Sequence, residues 1–367
     1  MLHITSPQHI VDLSKKLMSL PSFEDDIKAQ KKCIDLLAKT FKKDFHTRVY
    51  TFKGHPALVM STTKKKKVDL IFSGHIDVVA APEKLFSPQL KGDKLFGRGA
   101  YDMKAALVSC VYAARDYRAA GGTQDIAIMI TTDEEVSGYS TQQLLEKHGY
   151  RARFAFIPDG GYDAGVVLRQ KGFAQFKVVF NGKSAHASEQ WNGDNPIGKV
   201  HKLCRKIESV FPGPKKKDQW QTSVVPTRLE THGSLNQIPE HATVYFDVRY
   251  VQDQDLKKVS QLLKKEVGKK GKVEMIAQNG MFKAEEKNPY VQVLLSVLQG
   301  STQKKVSFMY ENGTSDAIFF TEHGVPAALY RPVGGGAHQD GEWVSVKSLY
   351  DMYRVMSQFL LASLQEQ

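Results

Sequence analysis

The chain has 367 residues and a formal net charge of +12, and 41% of its residues are hydrophobic and 25% are charged. This length exceeds that of a usual single domain and provides a sizeable buried core, so we expect two domains. No apolar run approaches the roughly 18 residues that a membrane span requires, and the first ten residues lack the features of an export signal. The sequence therefore predicts a soluble protein with no membrane partner.

Three cysteines, Cys33, Cys110 and Cys204, are far apart and form no C-x-x-C pair. This spacing suggests neither a disulfide framework nor a thiolate zinc site. We expect small buried hydrophobic side chains at Cys110 and Cys204, which lie among apolar residues at helical spacing. The cysteine content favours a reducing cytoplasm.

Lysine clusters at 64–67, 215–217 and 264–270 raise the question of nucleic-acid binding. They contain almost no interleaved aromatic or arginine residues, and they match no nucleic-acid module. They lie between apolar segments, where turns are expected. We therefore predict solvated loops and no nucleic-acid partner.

The first part of the chain alternates between predicted helices and strands. Ser6 and Pro7 predict the start of an amphipathic helix that ends before Pro21. Hydrophobic spacing then predicts strands at 68–72, 126–130 and 154–157 and helices at 103–119 and 141–148. Strands separated by helices predict an α/β fold, with a mainly parallel sheet covered by helices on both faces.

The pattern changes after Gly172. Hydrophobic spacing predicts strands at 173–180 and 243–248, a helix from Asn195-Pro196 and a helix at 256–267. The block 173–282 therefore indicates an inserted α+β domain. The first pattern resumes at Pro289, with a strand at 327–330 and a last helix at 346–364, so that 1–172 and 283–367 form the other domain.

Imidazoles and carboxylates follow the predicted strands of the first pattern or lie in glycine-rich turns. In chain order they are His75, Asp77, Asp102, Asp133, Glu134, Glu135, Asp159 and His338. Ligands bind at the carboxyl edge of an open α/β sheet, and we expect these groups on that rim. Each has an ordinary alternative: a structural His75, a helix N-cap at Asp102 and an exposed acidic turn at 133–135.

Together these groups form an oxygen-rich set with two imidazoles, which suits two divalent metal ions better than a structural zinc finger. A bridging carboxylate would neutralise both ions. Such a pair would polarise a scissile carbonyl and acidify a water molecule. A separate carboxylate must then move the proton, and the neighbours Glu134 and Glu135 could divide this work.

The ordered motifs resemble the co-catalytic zinc peptidase and deacylase family of succinyl-diaminopimelate desuccinylase, acetylornithine deacetylase, aminoacylase and carboxypeptidase G. The likeness spans nearly the whole chain. It rests on 74–79 (GHIDVV), 97–104 (GRGAYDMK), 133–135 (DEE), the acid at 159, and His338 with 342–344 (EWV).

The resemblance implies two metal ions per chain, zinc in the first place, with cobalt and manganese as alternatives. It makes Asp102 the bridging ligand and Glu134 the general acid/base, while Asp77 orients His75. The implied ligands are His75, Asp102, Glu135, Asp159 and His338.

The resemblance also implies that 173–282 is a ferredoxin-like lid or dimerisation domain, through which a homodimer forms. His186, in Gly-Lys-Ser-Ala-His, would stabilise the tetrahedral oxyanion from the same chain or a partner. Asn236 and Arg249 would bind the carbonyl and carboxylate of the substrate. Without the family, Arg249 reads as a surface ion pair. A substrate loop would hold Gly313, Thr314 and Ser315.

The expected activity is hydrolysis of an amide bond in a small carboxylate-bearing substrate, an N-acyl amino acid or a peptide. Two features of the sequence favour different branches of the family. Desuccinylase relatives usually have Glu where this chain has Asp159, whereas dipeptidase and aminopeptidase relatives usually have Asp there. The Gly-Thr-Ser-Asp loop and the short insertion favour deacylases. A dipeptidase, or an inactive protein that only binds an amino-acid derivative, remains an alternative.

Overall fold

A computed structural model of the chain describes residues 5–161, 165–216, 219–302 and 306–363. Its helices are α1 Pro7–Met18, α2 Ile27–Thr40, α3 Lys104–Ala119, α4 Tyr139–Glu146, α5 Pro196–Val210, α6 Asp253–Val267, α7 Pro289–Thr302, α8 Ala317–Glu322 and α9 Val346–Ala362.

Its strands are β1 His46–Phe52, β2 His55–Ser61, β3 Lys67–His75, β4 Gln89–Lys91, β5 Lys94–Phe96, β6 Ile126–Thr131, β7 Arg151–Ile157, β8 Gly165–Gln170, β9 Gly172–Asn181, β10 Ala185–His186, β11 Ser223–Thr231, β12 Gln237–Ile238, β13 His241–Tyr250, β14 Gly271–Asn279, β15 Phe282–Lys283, β16 Ser307–Glu311, β17 Ala327–Leu329, β18 Gly334–Gly335 and β19 Trp343–Ser345.

The chain divides into two compact units. Among the described residues, the first unit holds 5–161, 165–168, 283–302, 306–311 and 315–363, and the second holds 169–216, 219–282 and 312–314. The first unit is therefore interrupted by the second in sequence.

The main sheet of the first unit has the strand order β1-β2-β6-β3-β7-β17-β8-β15, with β16 beside β8. The central strands β6, β3, β7 and β17 are parallel. Strands β1, β2 and β8 flank this centre in antiparallel pairings that the sequence pattern did not predict. In the registers, His75 lies beside Thr131 and Ile157 beside Leu329. The strand ends that precede the acidic motifs therefore meet at one edge.

Both faces of this centre are buried, as expected for parallel strands covered by helices. Leu70, Phe72 and Ile128 belong to the core that also contains α1, α3, α7 and α9. Ile71 and Met129, which alternate with them, are also fully buried. Because successive side chains of a strand point to opposite faces, the apolar runs of β3 and β6 serve two cores. The predicted α/β fold with a parallel centre is confirmed.

The first helix, α1, is hydrogen-bonded to helix α3 of the same unit. Its predicted start is confirmed, because the Ser6 side chain accepts a hydrogen bond from the His9 N–H. At its end, the buried ammonium of Lys104 donates to the carbonyl oxygens of Leu17 at 3.0 Å and Leu20 at 2.9 Å. The Leu17 and Leu20 carbonyl oxygens also accept the backbone N–H groups of Leu20 and Ser22, so the ammonium adds a second donor to each.

The second unit has a ferredoxin-like topology. Its antiparallel sheet has the order β11-β13-β9-β14, and the chain passes through β9, α5, β11, β13, α6 and β14. This is the βαββαβ arrangement with strand order 4-1-3-2. Alternate residues of β9, such as Phe176 and Val178, form a core with Leu203 of α5 and Leu263 of α6. The predicted cap at Asn195 is confirmed by its bond from the Ile197 N–H.

Several predicted details differ from the structure. Lys264 and Lys265 lie in α6 rather than in a turn, because the helix continues to bury Val267 against the sheet. Helix α4 begins at Tyr139 and ends at Glu146, not 141–148. The predicted end of the last helix, Leu364, lies outside the described residues. No described helix combines the length and hydropathy that a membrane span needs.

Candidate metal centre

His75 ends strand β3 and is held by Asp77. The Nδ1 atom of His75 lies 3.1 Å from the Asp77 carbonyl oxygen and 3.4 Å from its Oδ1. The other carboxylate oxygen of Asp77 accepts the Glu135 N–H at 2.9 Å. The ring is buried, and its Nε2 has no hydrogen-bond partner among the described residues. An imidazole with one buried nitrogen free and the other nitrogen bonded to a backbone carbonyl and facing a carboxylate has the arrangement of a metal ligand.

Asp102 lies between the two imidazoles. Its Oδ1 is 3.3 Å from Nε2 of His75, and its Oδ2 is 3.2 Å from Nε2 of His338. Helix α3 begins at Lys104, and its cap residue Met103 makes no side-chain capping bond. The alternative of Asp102 as the N-cap is therefore wrong. Each oxygen of one carboxylate faces a different ring, as a bridging ligand requires.

The neighbouring acids Glu134 and Glu135 face different imidazoles. Glu135 Oε2 lies 3.2 Å from Nε2 of His338, and Glu134 Oε2 lies 3.7 Å from Nε2 of His75. The two carboxylates can thus perform separate tasks.

Asp133 also differs from the exposed acidic turn that was the simple alternative. It is buried, and its Oδ2 accepts the Ser140 N–H at 2.9 Å. Its carbonyl oxygen accepts the N–H groups of Ser137 and Gly138. Asp133 therefore shapes the turn after β6.

Asp159 follows β7 and completes the cluster. Its carboxylate forms one potential metal site with His75 and Glu134, and a second potential site combines His75, Asp102 and Glu135. Within each group the ligand atoms lie no more than 4.8 Å apart. The predicted rim residues are thus brought together at one edge of the sheet.

Arg331 is a neighbour of this cluster that the sequence did not indicate. Its Nη1 lies 3.9 Å from Asp159 Oδ1, and its guanidinium lies 4.2 Å from the centre of the Tyr101 ring. Its Nε donates to the Gly161 carbonyl at 2.9 Å. Glu311 accepts the Gly161 N–H at 2.7 Å and lies 3.9 Å from Arg331. Only its position after β17 could have signalled this role.

The electrostatics of the cluster favour a bound cation. Burial raises the pKa of Asp159 to about 7 and raises that of Glu134 well above its usual value. Burial also opposes ionisation of Asp102, but the two imidazoles that face its carboxylate hold its pKa low. Hydrogen bonds to Asp102 and Glu135 raise the pKa of His338 to about 10. Carboxylate oxygens and imidazole nitrogens in this density fit divalent ions, since buried charges need a partner.

His186 and Asn236 lie together in the second unit, where β10 pairs with β12. The Ser188 N–H donates to His186 Nδ1 at 3.2 Å. Because this nitrogen accepts, the proton of a neutral ring lies on Nε2, which becomes a donor. The Asn236 amide nitrogen lies 3.4 Å from that Nε2, and since two donors do not bond each other, the amide oxygen is the atom that would face the ring.

Arg249 makes an ion pair with Asp247, as expected for this residue when the family resemblance is left aside. Its Nε donates to Asp247 Oδ1 at 2.9 Å, and its guanidinium lies 4.6 Å from the centre of the Phe173 ring. The pair and the ring fix the orientation of the guanidinium within the second unit.

Solvent exposure decreases along the loop at 313–315. Gly313 is exposed and Thr314 is half-buried, whereas Ser315 is buried and its hydroxyl accepts the Ala317 N–H at the start of α8. The next residue, Asp316, hydrogen-bonds Thr141, and burial raises its pKa to about 7. Asp316 was part of the Gly-Thr-Ser-Asp motif, but its burial could not be read from the string.

Comparison with protein families matches residues 71–362 to peptidase family M20/M25/M40. The chain belongs to this family. It is a metal-dependent hydrolase of amide or peptide bonds. It is 25% identical over 375 residues to a succinyl-diaminopimelate desuccinylase of Wolbachia pipientis wMel, with 95% of this chain and 92% of that protein covered.

Solved structures share the fold. Aminopeptidase PepT from Bacillus cereus matches with a TM-score of 0.79 and 20% identity, covering 97% of this chain and 98% of its own. The M20 metallo-carboxypeptidase Sso-CP2 from Sulfolobus solfataricus matches with a TM-score of 0.79 and 17% identity, covering 97% and 99%. The predicted family and fold are thereby confirmed.

Proposed function

We propose that the protein is a dinuclear-metal amide hydrolase that removes the acyl group from small N-acyl amino acids. The observation that carries this proposal is the position of Asp102, whose two oxygens each lie within 3.3 Å of a different imidazole nitrogen. One carboxylate between two imidazoles is the arrangement that two neighbouring divalent ions need.

One ion would be held by His75, Asp102 and Asp159, and the other by Asp102, Glu135 and His338. Nitrogen and carboxylate ligands suit zinc, and cobalt or manganese could replace it. When bound, such ions supply Lewis acidity at the scissile carbonyl and acidify water.

Glu134 would act as the general base and then as the general acid. Its carboxylate lies 3.7 Å from His75 Nε2, beside the ligand atoms. Burial raises its pKa well above the usual value of a glutamate, which is the direction that suits a group that must take up a proton before it donates one. Asp77 would hold His75 in the tautomer that leaves Nε2 as the ligand atom.

The second unit would supply the substrate contacts. His186 would donate from Nε2 to the oxyanion, and Asn236 would bind the carbonyl. Arg249 would bind the carboxylate with its planar fork. Gly313 and Thr314 would contact the substrate, with Ser315 supporting their loop.

We also propose that residues 173–282 form a lid that dimerises, so that the functional protein is a homodimer. Trp191 and Leu235, beside the loops of His186 and Asn236, are largely exposed apolar side chains. Large exposed apolar residues near a functional group favour burial against a partner. Buried thiols, such as Cys110, favour a cytoplasmic location.

Relatives named as desuccinylases favour acyl removal over dipeptide hydrolysis. Carboxypeptidase action on a short peptide uses the same groups and is the second candidate. An inactive binding protein is disfavoured because the set of six acids and imidazoles is complete, namely His75, Asp102, Glu134, Glu135, Asp159 and His338.

The test is hydrolysis by the zinc-loaded protein of N-succinyl, N-acetyl and longer N-acyl amino acids, next to a set of dipeptides. We expect turnover of an acylated substrate that requires its free carboxylate. Esterification of that carboxylate provides the matched control substrate. If two ions are bound and neither acyl amino acids nor peptides are cleaved, the proposed function is wrong.

A further inference from the structure

Glu342 is a buried carboxylate that accepts four hydrogen bonds from one short loop. Its Oε2 accepts from Arg98 Nη1 at 2.6 Å and from the Gly99 N–H at 3.1 Å. Its Oε1 accepts the N–H groups of Tyr101 at 2.9 Å and Asp102 at 3.1 Å. The residue is 1% exposed. Such a buried charge persists only when it is fully paired, and here every partner lies in 98–102.

The same residue is tied to the loop of His338. Glu342 follows His338 by four residues, and its carbonyl oxygen accepts the Gly97 N–H at 3.1 Å. Strand β19 begins at the next residue and pairs with β5, which precedes Gly97. The Glu342 side chain, its backbone bond to Gly97 and a 3.4 Å bond from Arg98 Nη1 to the Gln339 carbonyl oxygen therefore join the two loops that bring Asp102 and His338 to a separation of 3.2 Å.

We propose that Glu342 is a positioning residue for the metal centre, which sets the Asp102 carboxylate against His338 so that both ions can be bound. This inference rests on the proposed function. The hydrogen bonds of the carboxylate go to residues 98–102 and to neither imidazole. It acts through the backbone N–H groups of Tyr101 and Asp102, which fix the direction in which the Asp102 side chain leaves the chain.

A carboxylate is needed because all four groups around it are donors. Glutamine would offer one oxygen and one NH₂ group, and the NH₂ group would face two donors. Either the Arg98 side or the Asp102 side of the loop would then lose its acceptor. The loop would shift, since a buried donor without a partner is unfavourable.

The experiment compares three variants of the full chain: Glu342→Gln, Arg98→Gln and the control Asp116→Asn. Asp116 is also a buried carboxylate of the first unit with a full set of donors: Thr5 N–H, Thr5 Oγ1, Tyr353 Oη and Arg115. It lies outside the metal cluster. Zinc affinity is measured by competition with a chromophoric chelator, and thermal stability by circular dichroism.

We expect Glu342→Gln to weaken the binding of at least one ion by 10- to 100-fold. Arg98→Gln, which leaves the bonds to Tyr101 and Asp102 in place, should weaken binding less. Asp116→Asn should lower the melting temperature and leave zinc affinity unchanged. A purely structural role of Glu342 would instead lower stability in the same way as Asp116→Asn.

Unchanged zinc affinity in a folded Glu342→Gln protein would overturn the inference and leave the proposed function intact. Should that variant fail to fold, unchanged zinc affinity in Glu342→Asp, which withdraws the carboxylate from the Tyr101 and Asp102 N–H groups by one methylene, would overturn it. Absence of zinc binding by the unsubstituted protein would overturn the metal centre itself.

Discussion

The two imidazoles that face Asp102 are supported in different ways. His75 ends a central strand, its side chain is 2% exposed, and Asp77 holds its second nitrogen. His338 follows a run of glycines, its side chain is 52% exposed, and its backbone has a φ of +63°. A residue with this φ lies in the left-handed region, which costs free energy unless its surroundings fix it.

This difference divides the centre into a half built by the sheet and a half built by loops. Neighbouring strands determine the position of His75, whereas hydrogen bonds around Glu342 and the backbone of 334–341 determine that of His338. Changes near His75 should therefore alter chemistry and affinity, while changes near His338 should first alter the order of a loop.

The largest effect should come from Glu134, on the side of His75. Replacement by Gln keeps the shape but removes the group that takes the proton, so kcat should fall by about 10²- to 10⁴-fold. Metal content, measured by elemental analysis, should stay at two ions per chain. Loss of the ions together with activity would mean that Glu134 is a ligand rather than a base.

Metal removal should destabilise the protein, because closely spaced carboxylates lose their counter-charge. At a zinc concentration 100 times the dissociation constant, binding contributes about 2.7 kcal/mol to the free energy of unfolding. Chelation should lower the melting temperature, and added zinc should restore it. Hydrogen exchange should increase more at 334–341 than in β3. Equal increases would contradict the division between the two halves.

Asp77→Asn should weaken zinc binding by about 10- to 100-fold. The two carboxylate oxygens of Asp77 face His75 Nδ1 and the Glu135 N–H, and in asparagine one of these groups would face an NH₂ group instead of an oxygen. The expected loss concerns the ion at His75, and cobalt spectra at increasing occupancy would reveal which site is affected. Asp93→Asn, which alters a carboxylate bonded to Ser345 and Lys347, is the control. Equal losses in both variants would argue against the orienting role.

Gly336→Ala should have the smallest effect. Gly336 has a φ of +76°, and an added Cβ would lie 3.0 Å from Glu342 Cα and from the Gly341 oxygen. The left-handed conformation alone costs about 1–2 kcal/mol for a residue with a Cβ. The control is Gly121→Ala, with a φ of +89° and open space around the Cβ. Both variants should be less stable by urea unfolding, and only Gly336→Ala should bind zinc more weakly.

Much of the site could be predicted because the hydrophobic pattern of the sequence shows where the central strands end. The apolar runs before His75, Glu134 and Asp159 predict buried parallel strands, whose carboxyl ends must meet. The family likeness extended this to Asp102 and His338, which lie in turns. No hydrophobic spacing could have indicated that Asp102 faces both rings, because its position depends on a loop held by Glu342.

Other features could not be predicted from the sequence pattern. Strand β1 is an exposed edge strand, so it lacks the strong apolar pattern of β3. Helix α2 was not predicted, although Cys33, Ile34 and Leu37 form a buried stripe behind the Asp26 cap. Arg331 and Asp316 depend on contacts between segments far apart in the chain, which a single sequence does not reveal.

The buried ammonium of Lys104 has a consequence for shortening the chain. Its described hydrogen bonds go to Leu17 and Leu20, at and just after the end of α1. A deletion that removes α1 would take away the Leu17 acceptor and leave Lys104, which lies directly behind the loop of Asp102, with the Leu20 carbonyl alone. The N-terminal helix thus supplies a hydrogen-bond acceptor for the first residue of α3. Shortened forms for crystallisation or display should therefore keep the chain from Thr5 onwards.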